Sequence, residues 1–255
     1  MLERIKEQIC FFQRKVYELV QKTQAYMNWS GGKDSSLCLY KALQSGNYNI
    51  THLLTSVNAA HDRISMHGVR RSLLQAQASS IGIPVTTIEL QEQPGMQEYE
   101  NAMLQKVNEL KKCGYTHSIF GDIFLEDLKT YREQKLATAG IECVFPLWKI
   151  DTTVIVNEFI ELGFKSIIVC INDQYLDKNF CGRIIDHDFI NDLPENVDPC
   201  GENGEFHTFV FDGPIFKTPI SFEKGEIVYK TYTAPKENNS TNPDYGFYFC
   251  DLLPA

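Results

Sequence analysis

Leu2, Ile5, Ile9, Phe12, Val16 and Leu19 follow one another at steps of three and four, laying a single apolar stripe along a helix. The spacing predicts an amphipathic helix over 2–22, within an N-terminal segment 1–24. It packs either on its own domain or along a seam with a second copy of the chain, as a homodimer. From Ala25 the pattern changes to short apolar strands alternating with helix-length segments. AYMNW, THLLTSVN, PVTTIEL and THSIFGD read as strands, and ECVFPLW closes the run. Helices are predicted from the turn SGGKDSS through Ser45, then over 67–80, 97–113 and 126–139, the last three stopped by Gly82, Gly114 and Gly140. Strands joined by helices mean βαβ crossovers and a doubly wound, mainly parallel sheet.

After Trp148 the period changes again. A helix over 152–162 and a strand over 165–171 precede an irregular stretch, 172–206. FHTFVFDGPIFKTPISF and EIVYKTY then alternate with period two, with DG and KG as turn signals, the pattern of half-buried antiparallel strands. PKENNSTNPD (235–244) reads as a polar linker or loop, and YGFYFCDLL as a final strand. The expected architecture is α/β, with a doubly wound domain over 25–147 and a smaller C-terminal α+β domain over 148–255.

Composition narrows the class. The 255 residues are 43% hydrophobic and 22% charged, which excludes a disordered chain and allows a sizeable core. No uncharged apolar run approaches the ~18 residues of a membrane span. The first turns carry Glu3, Arg4, Lys6 and Glu7, unlike a signal peptide or anchor. A soluble, cytoplasmic protein without a membrane partner is expected. Lys and Arg total 24 against 33 Asp and Glu, a net charge of −9 that disfavours a general nucleic-acid binder. The eight cysteines are scattered without a CxxC pair, so free thiols of a reducing compartment are expected. The alternative is a metal site of Cys181, Cys200 and His207.

The densest chemistry is Ser30-Gly31-Gly32-Lys33-Asp34-Ser35-Ser36, between the first strand and its helix, where open α/β sheets bind ligands. Two glycines let the backbone approach an anion, and the helix start supplies unpaired N–H groups and the positive end of a dipole. Ser30, Ser35 and Ser36 add hydroxyls and Lys33 adds a charge. This is phosphate-binding equipment, yet neither GxxxxGK[ST] nor GxGxxG. A plain capped turn would explain the glycines and Asp34, but not the whole string. A second cluster, GENGEFHT (201–208), gathers Glu202, Asn203, Glu205 and His207 around a glycine turn. Its carboxylates could hold Mg2+ with phosphates or orient an amine. His207, ordinarily near pKa ~6.5, could move a proton. Strand alternation would place Glu205 and His207 on one face if the strand reaches back that far. A solvated acidic loop is the alternative.

SGGKDS after a first strand resembles the PP-loop of the N-type ATP pyrophosphatases, which cleave ATP to AMP and pyrophosphate. GDIFLEDLKTYRE (121–133), PLW (146–148) and DPCGENGEFHTFVFDGPIF (198–216) together resemble the diphthine–ammonia ligase family, over roughly 25–222. The resemblance implies a HUP-type fold for 25–146 and an ATP-dependent, AMP-forming carboxylate–ammonia ligase. It implies that Ser30 to Ser36, Asn58, Gly121 and Asp122 bind ATP, with Mg2+ on Asp34 and Asp122. Lys33, Glu205 and His207 would act in catalysis, and Arg132, Glu202, Asn203 and Thr208 would bind the substrate. For Asp122 a helix cap competes with this role. For Arg132 a surface ion pair competes, and for Asn58 and the neighbouring His61, Asp62, Arg63 and His67 a loop facing water. Family members that make diphthamide resemble EGGEFET where this chain reads ENGEFHT. Asn203 and His207 therefore resemble a bacterial-type branch, for which an acceptor other than diphthine is implied, such as a corrinoid-related acid. The rival readings are a PP-loop tRNA-modifying enzyme, a non-catalytic ATP sensor and a simple ATP pyrophosphohydrolase.

Overall fold

The computed structural model describes residues 22–91, 95–232 and 245–255. The expected N-terminal helix, save its last residue, and the expected linker 235–244 lie outside the described residues.

Sheet A holds β1 (Thr23–Asn28), β2 (Tyr48–Asn58), the short β3 (Arg63–Ile64), β4 (Val85–Leu90), β5 (His117–Ile119) and β6 (Glu142–Val144). Parallel pairing sets the spatial order β4-β2-β1-β5-β6, and β3 adds antiparallel to the end of β2. The winding therefore reverses at β1, which opens a crevice beyond the carboxyl ends of β1 and β5. The crossovers are α1 (Lys33–Ser45), α2 (Arg71–Ile81), α3 (Met96–Lys112) and α4 (Glu126–Thr138). They cover both faces. Leu37 and Leu73 belong to the larger core, and Val107, Leu110 and Leu136 close the other face over Tyr26, Leu54 and Ile88. This is the doubly wound order the sequence predicts.

Helix α2 starts later than expected. Instead of helix from His67, the chain turns back: Arg63 bridges to Arg70, Gly68 N–H donates to the Ile64 carbonyl at 3.0 Å, and Met66 and Gly68 adopt φ of 64° and 69°. The left-handed positions cannot continue a helix. His67 is left on a lip rather than on a helix face.

The second half begins with α5 (Thr152–Glu161), capped by the Asp151 carboxylate, which accepts from the Thr153 and Val154 amides. Sheet B is antiparallel, in the order β8-β7-β10-β9, with β7 (Lys165–Asn172), β8 (Phe206–Asp212), β9 (Phe222–Tyr232) and β10 (Tyr245–Pro254). A short α6 (His187–Asp192) interrupts the stretch between β7 and β8. Neither turn signal makes a hairpin. After DG, Pro214 and Pro219 remove ladder donors, so β8 pairs back with β7 instead. KG is a bulge: Lys224 pairs with Leu252 and Ile227 with Cys250, leaving Gly225 and Glu226 opposite Asp251. One apolar core joins Trp29, Leu37 and Leu73 to Ile155, Phe159, Ile167 and Phe209, so the two sheets pack as one body across residue 147. Among the described residues no helix is long and apolar enough to cross a membrane.

Candidate active site

The loop from β1 to α1 is built on backbone contacts that only glycine permits. Gly31 has φ 77°, and a Cβ there would lie 2.5 Å from Gln77 Oε1. A Cβ on Gly32 would lie 2.9 Å from His67 Cε1. Buried Gln77 organises the turn: its Nε2 donates to the carbonyls of Gly31 (3.0 Å) and Val210 (2.6 Å), and its Oε1 accepts from Trp29 Nε1 (3.1 Å). β8 completes the cradle. Val210 N–H donates to the Gly31 carbonyl at 2.9 Å, and Thr208 Oγ1 accepts from the Lys33 amide at 2.9 Å. The hydroxyls of Ser35 and Ser36 both donate to the Gly32 carbonyl at 2.9 Å, and Ser30 Oγ lies 3.1 Å from Ser35 Oγ. Gly32 caps α1 without a side chain, so no side chain of the cap covers the helix's positive end.

Lys33 is 3% exposed and meets both oxygens of Asp34 at 2.7 Å. Burial pulls its pKa down, but Asp34, with smaller help from Cys200 and Glu202, outweighs it and holds the ammonium above the usual lysine range. A cavity of about 450 Å³ opens beside it, lined by this loop, β2, the lip at 64–67, the end of β5, α4 and residues 200–208. Leu54, Ile88, Met103 and Leu128 add apolar side chains to the lining.

Asp122 and Arg132 form an ion pair in its wall, Oδ2 to Nε 2.9 Å, with the guanidinium 4.4 Å from the Phe120 ring centre. Burial still raises the Asp122 pKa, against the pull of Arg132. Glu202 accepts from the Ile123 amide at 3.0 Å, and its pKa is pushed up to about 7 by burial and then by Asp34 and Asp122. These carboxylates crowd one another, the condition that a divalent cation relieves. No three His, Cys, Asp or Glu side chains form a metal cage among the described residues. A Mg2+ would therefore rest on one or two carboxylates plus phosphate oxygens, its usual habit. The same observation removes the Cys181, Cys200 and His207 alternative. Cys200 is buried and donates to the Thr152 carbonyl.

His67 and His207 stack with ring centres 4.7 Å apart and planes at 33°. His207 is not the ordinary histidine of the sequence reading: burial, followed by His67 and Lys33, pushes its pKa down to about 3. It is a neutral imidazole in the free protein.

Of the expected residues, Ser30, Lys33, Asp34, Ser35, Gly121, Asp122, Arg132, Glu202, His207 and Thr208 line one cavity. Gly31, Gly32 and Ser36 shape the loop beneath it. Glu205 goes elsewhere. It is fully buried, and its carboxylate accepts from the Asp198 amide (3.0 Å), the Asn203 amide (2.9 Å) and Asn203 Nδ2 (3.1 Å). Because β8 starts at Phe206, Glu205 does not share a strand face with His207, and it braces the 198–205 loop instead of facing the cavity. Asn203 is exposed and tied to Glu205. Asn58 is likewise spent: its Oδ1 accepts from the Ala60 and His61 amides and closes the turn after β2. Sequence reasoning missed Gln77. Its signal was a lone amide on the apolar face of α2, beside Leu73, Leu74 and Ala78.

A family model for the diphthamide synthase N-terminal domain matches residues 22–142, and one for the diphthamide synthase C-terminal domain matches 151–236. A diphthine–ammonia ligase of Danio rerio is 24% identical over 222 residues, covering 78% of this chain and 86% of the relative. A diphthine–ammonia ligase of Schizosaccharomyces pombe is 27% identical over 109 residues, which is 40% of this chain and 18% of the relative. Among solved structures, a predicted subunit of tRNA methyltransferase from Methanocaldococcus jannaschii aligns at a TM-score of 0.33 and 18% identity, covering 61% of this chain and 81% of that one. With both family domains matched in chain order and together spanning most of its length, the chain belongs to the diphthamide synthase family, an ATP-dependent ligase.

Proposed function

We propose that the protein joins ammonia to a substrate carboxylate at the expense of ATP, with AMP and pyrophosphate as products. The observation that carries this reading is the β1–α1 loop. A glycine turn, three hydroxyls and a buried, fully charged lysine are held there against the second sheet, in the wall of a cavity that also carries apolar side chains. The loop would take the outer phosphates of ATP and the apolar side chains its base.

A substrate carboxylate oxygen attacks the α-phosphorus. The bond from that phosphorus to the bridging oxygen breaks, and pyrophosphate leaves with its charge met by Lys33 and the α1 terminus. Ammonia then attacks the acyl carbon, the carbon–oxygen bond to AMP breaks, and an amide remains. The proton shed by the nitrogen passes to neutral His207, whose basicity rises with phosphate charge beside it. Mg2+, when bound at Asp34 and Asp122, supplies further neutralisation of phosphate charge. Arg132 and Glu202, in the same cavity lining, flank the acceptor and position its carboxylate. The acceptor is a carboxylic acid, small or protein-borne. Asn203 and His207 favour one other than diphthine, such as a corrinoid-related acid.

Incubating the protein with MgATP, ammonium and a panel of candidate acids tests the scheme. AMP should accumulate over many turnovers only when acid and ammonium are both present, with acid alone giving at most one equivalent of pyrophosphate. Formation of ADP and phosphate would overturn it.

A further inference from the structure

One edge of the His67 ring is fixed twice. Nδ1 lies 3.0 Å from the Thr208 carbonyl oxygen, and Cε1 lies 2.9 Å from where a Cβ on Gly32 would stand. A carbonyl oxygen only accepts, so Nδ1 carries the proton of a neutral ring and Nε2 is left as a bare lone pair. Nε2 follows Cε1 along the edge that rests on the phosphate loop. His207 stacks on this ring, and both line the cavity. A lone pair cannot donate to a phosphate oxygen.

We propose that His67, backed by His207, is an anion subsite that fills only together with a proton, so that nucleotide binding draws one proton from solvent into the imidazole pair. The inference rests on the reading that this cavity takes ATP. The groups facing the pair are Lys33 and Asp34 from α1 and, from β8 and the lip, each ring toward the other. Burial, then His67 and Lys33, hold the His207 pKa down; burial, with smaller help from Lys33, lowers that of His67 against the Thr208 carbonyl and Asp34. Phosphate charge reverses the balance. Nε2 then bears a proton and donates it as a hydrogen bond. When the α-phosphorus bond breaks, that proton leaves on the pyrophosphate and the pair returns to neutral. The proton enters with ATP and departs with the product, and the imidazole pair ends as it began.

Calorimetric titration of the full chain with MgATP, without acceptor, in buffers of differing ionisation enthalpy counts the protons taken up. Comparing wild type with His67→Gln cancels the titration of the nucleotide itself. The wild type should take up about one proton more, and its Kd should weaken by up to about tenfold per pH unit as pH rises through the bound-state pKa. An equal count in both proteins, with MgATP bound, overturns this inference and leaves the ligase reading standing. Failure of the wild type to bind MgATP overturns both. A second measurement covers a variant that does not fold. Of the six histidines in the wild type, the Cε1–H resonance of one, His67, should move to the imidazolium position on adding MgATP. An unmoved resonance overturns the inference as well.

Discussion

Gln77 grips Gly31 at two points: its Nε2 donates to the Gly31 carbonyl at 3.0 Å, and its Oε1 fills the space, 2.5 Å away, that a Cβ on Gly31 would need. The same side chain reaches Val210 and Trp29, so one buried amide sets the spacing between β1, the phosphate loop and β8. Gln77→Leu keeps the volume but strands the Trp29 indole N–H and removes a donor from two carbonyls, of which that of Gly31 keeps the Val210 N–H. We expect a loss of about 1–3 kcal/mol in denaturant unfolding, with KM for ATP rising more than kcat falls. A variant that unfolds earlier but keeps its KM would show that the glutamine braces the core and not the loop.

Lys33→Ala removes a buried charge whose partner, Asp34, is 28% exposed and can be rehydrated. The fold should survive, and MgATP affinity by calorimetry should fall about tenfold or more. Unchanged affinity would displace the outer phosphates from this loop.

Glu205→Gln separates bracing from chemistry. An amide in place of the carboxylate would point an N–H group at donors already aimed inward from Asp198 and Asn203. Stability should drop by about 1–3 kcal/mol, while the folded fraction keeps its turnover. His207→Gln should do the opposite, sparing the melting temperature and slowing amide formation by about 10²-fold. A burst of pyrophosphate without amide in single-turnover measurements would locate the loss at the second step.

Asp251 on β10 accepts from Arg70 Nη2 (2.6 Å) and Arg63 Nη1 (2.8 Å), and Arg63 also donates to the Gly68 carbonyl on the lip that carries His67. Burial opposes ionisation, but the two arginines hold the Asp251 pKa down to about 2, from an ordinary 3.8. A carboxylate with a lowered folded pKa contributes stability above its ordinary value and loses it as pH falls toward the folded one. Acid unfolding should therefore steepen as pH drops from 3.8 to about 2, and Asp251→Asn should flatten that limb. β10 lies beyond the residues matched by the C-terminal family model, 151–236. Weakened MgATP affinity in the same variant would show that this strand sets the lip.

The glycine–serine loop and the alternation that places it at the end of β1 were legible because both follow from local spacing. Gly82 and Gly140 stop their helices where the pattern says. The failures lie where distant backbone decides. The reading put Glu205 beside His207 by period two, but the amides of Asp198 and Asn203 needed an acceptor and took its carboxylate inward. The reading began a helix at His67 while also counting that residue in a polar loop, and the bridge from Arg63 to Arg70 folds the segment into a lip. Asn58 looked free to meet a ligand, and its own turn consumed it. His207 was assigned ordinary basicity because no sequence pattern reports that a second imidazole and a lysine stand beside it.

The bonds from Val210 to Gly31 and from Lys33 to Thr208 stitch the second sheet to the phosphate loop itself. Jaws hinged between the halves could part only by breaking these two bonds. Any movement of one half against the other would therefore be felt first at the β1–α1 loop.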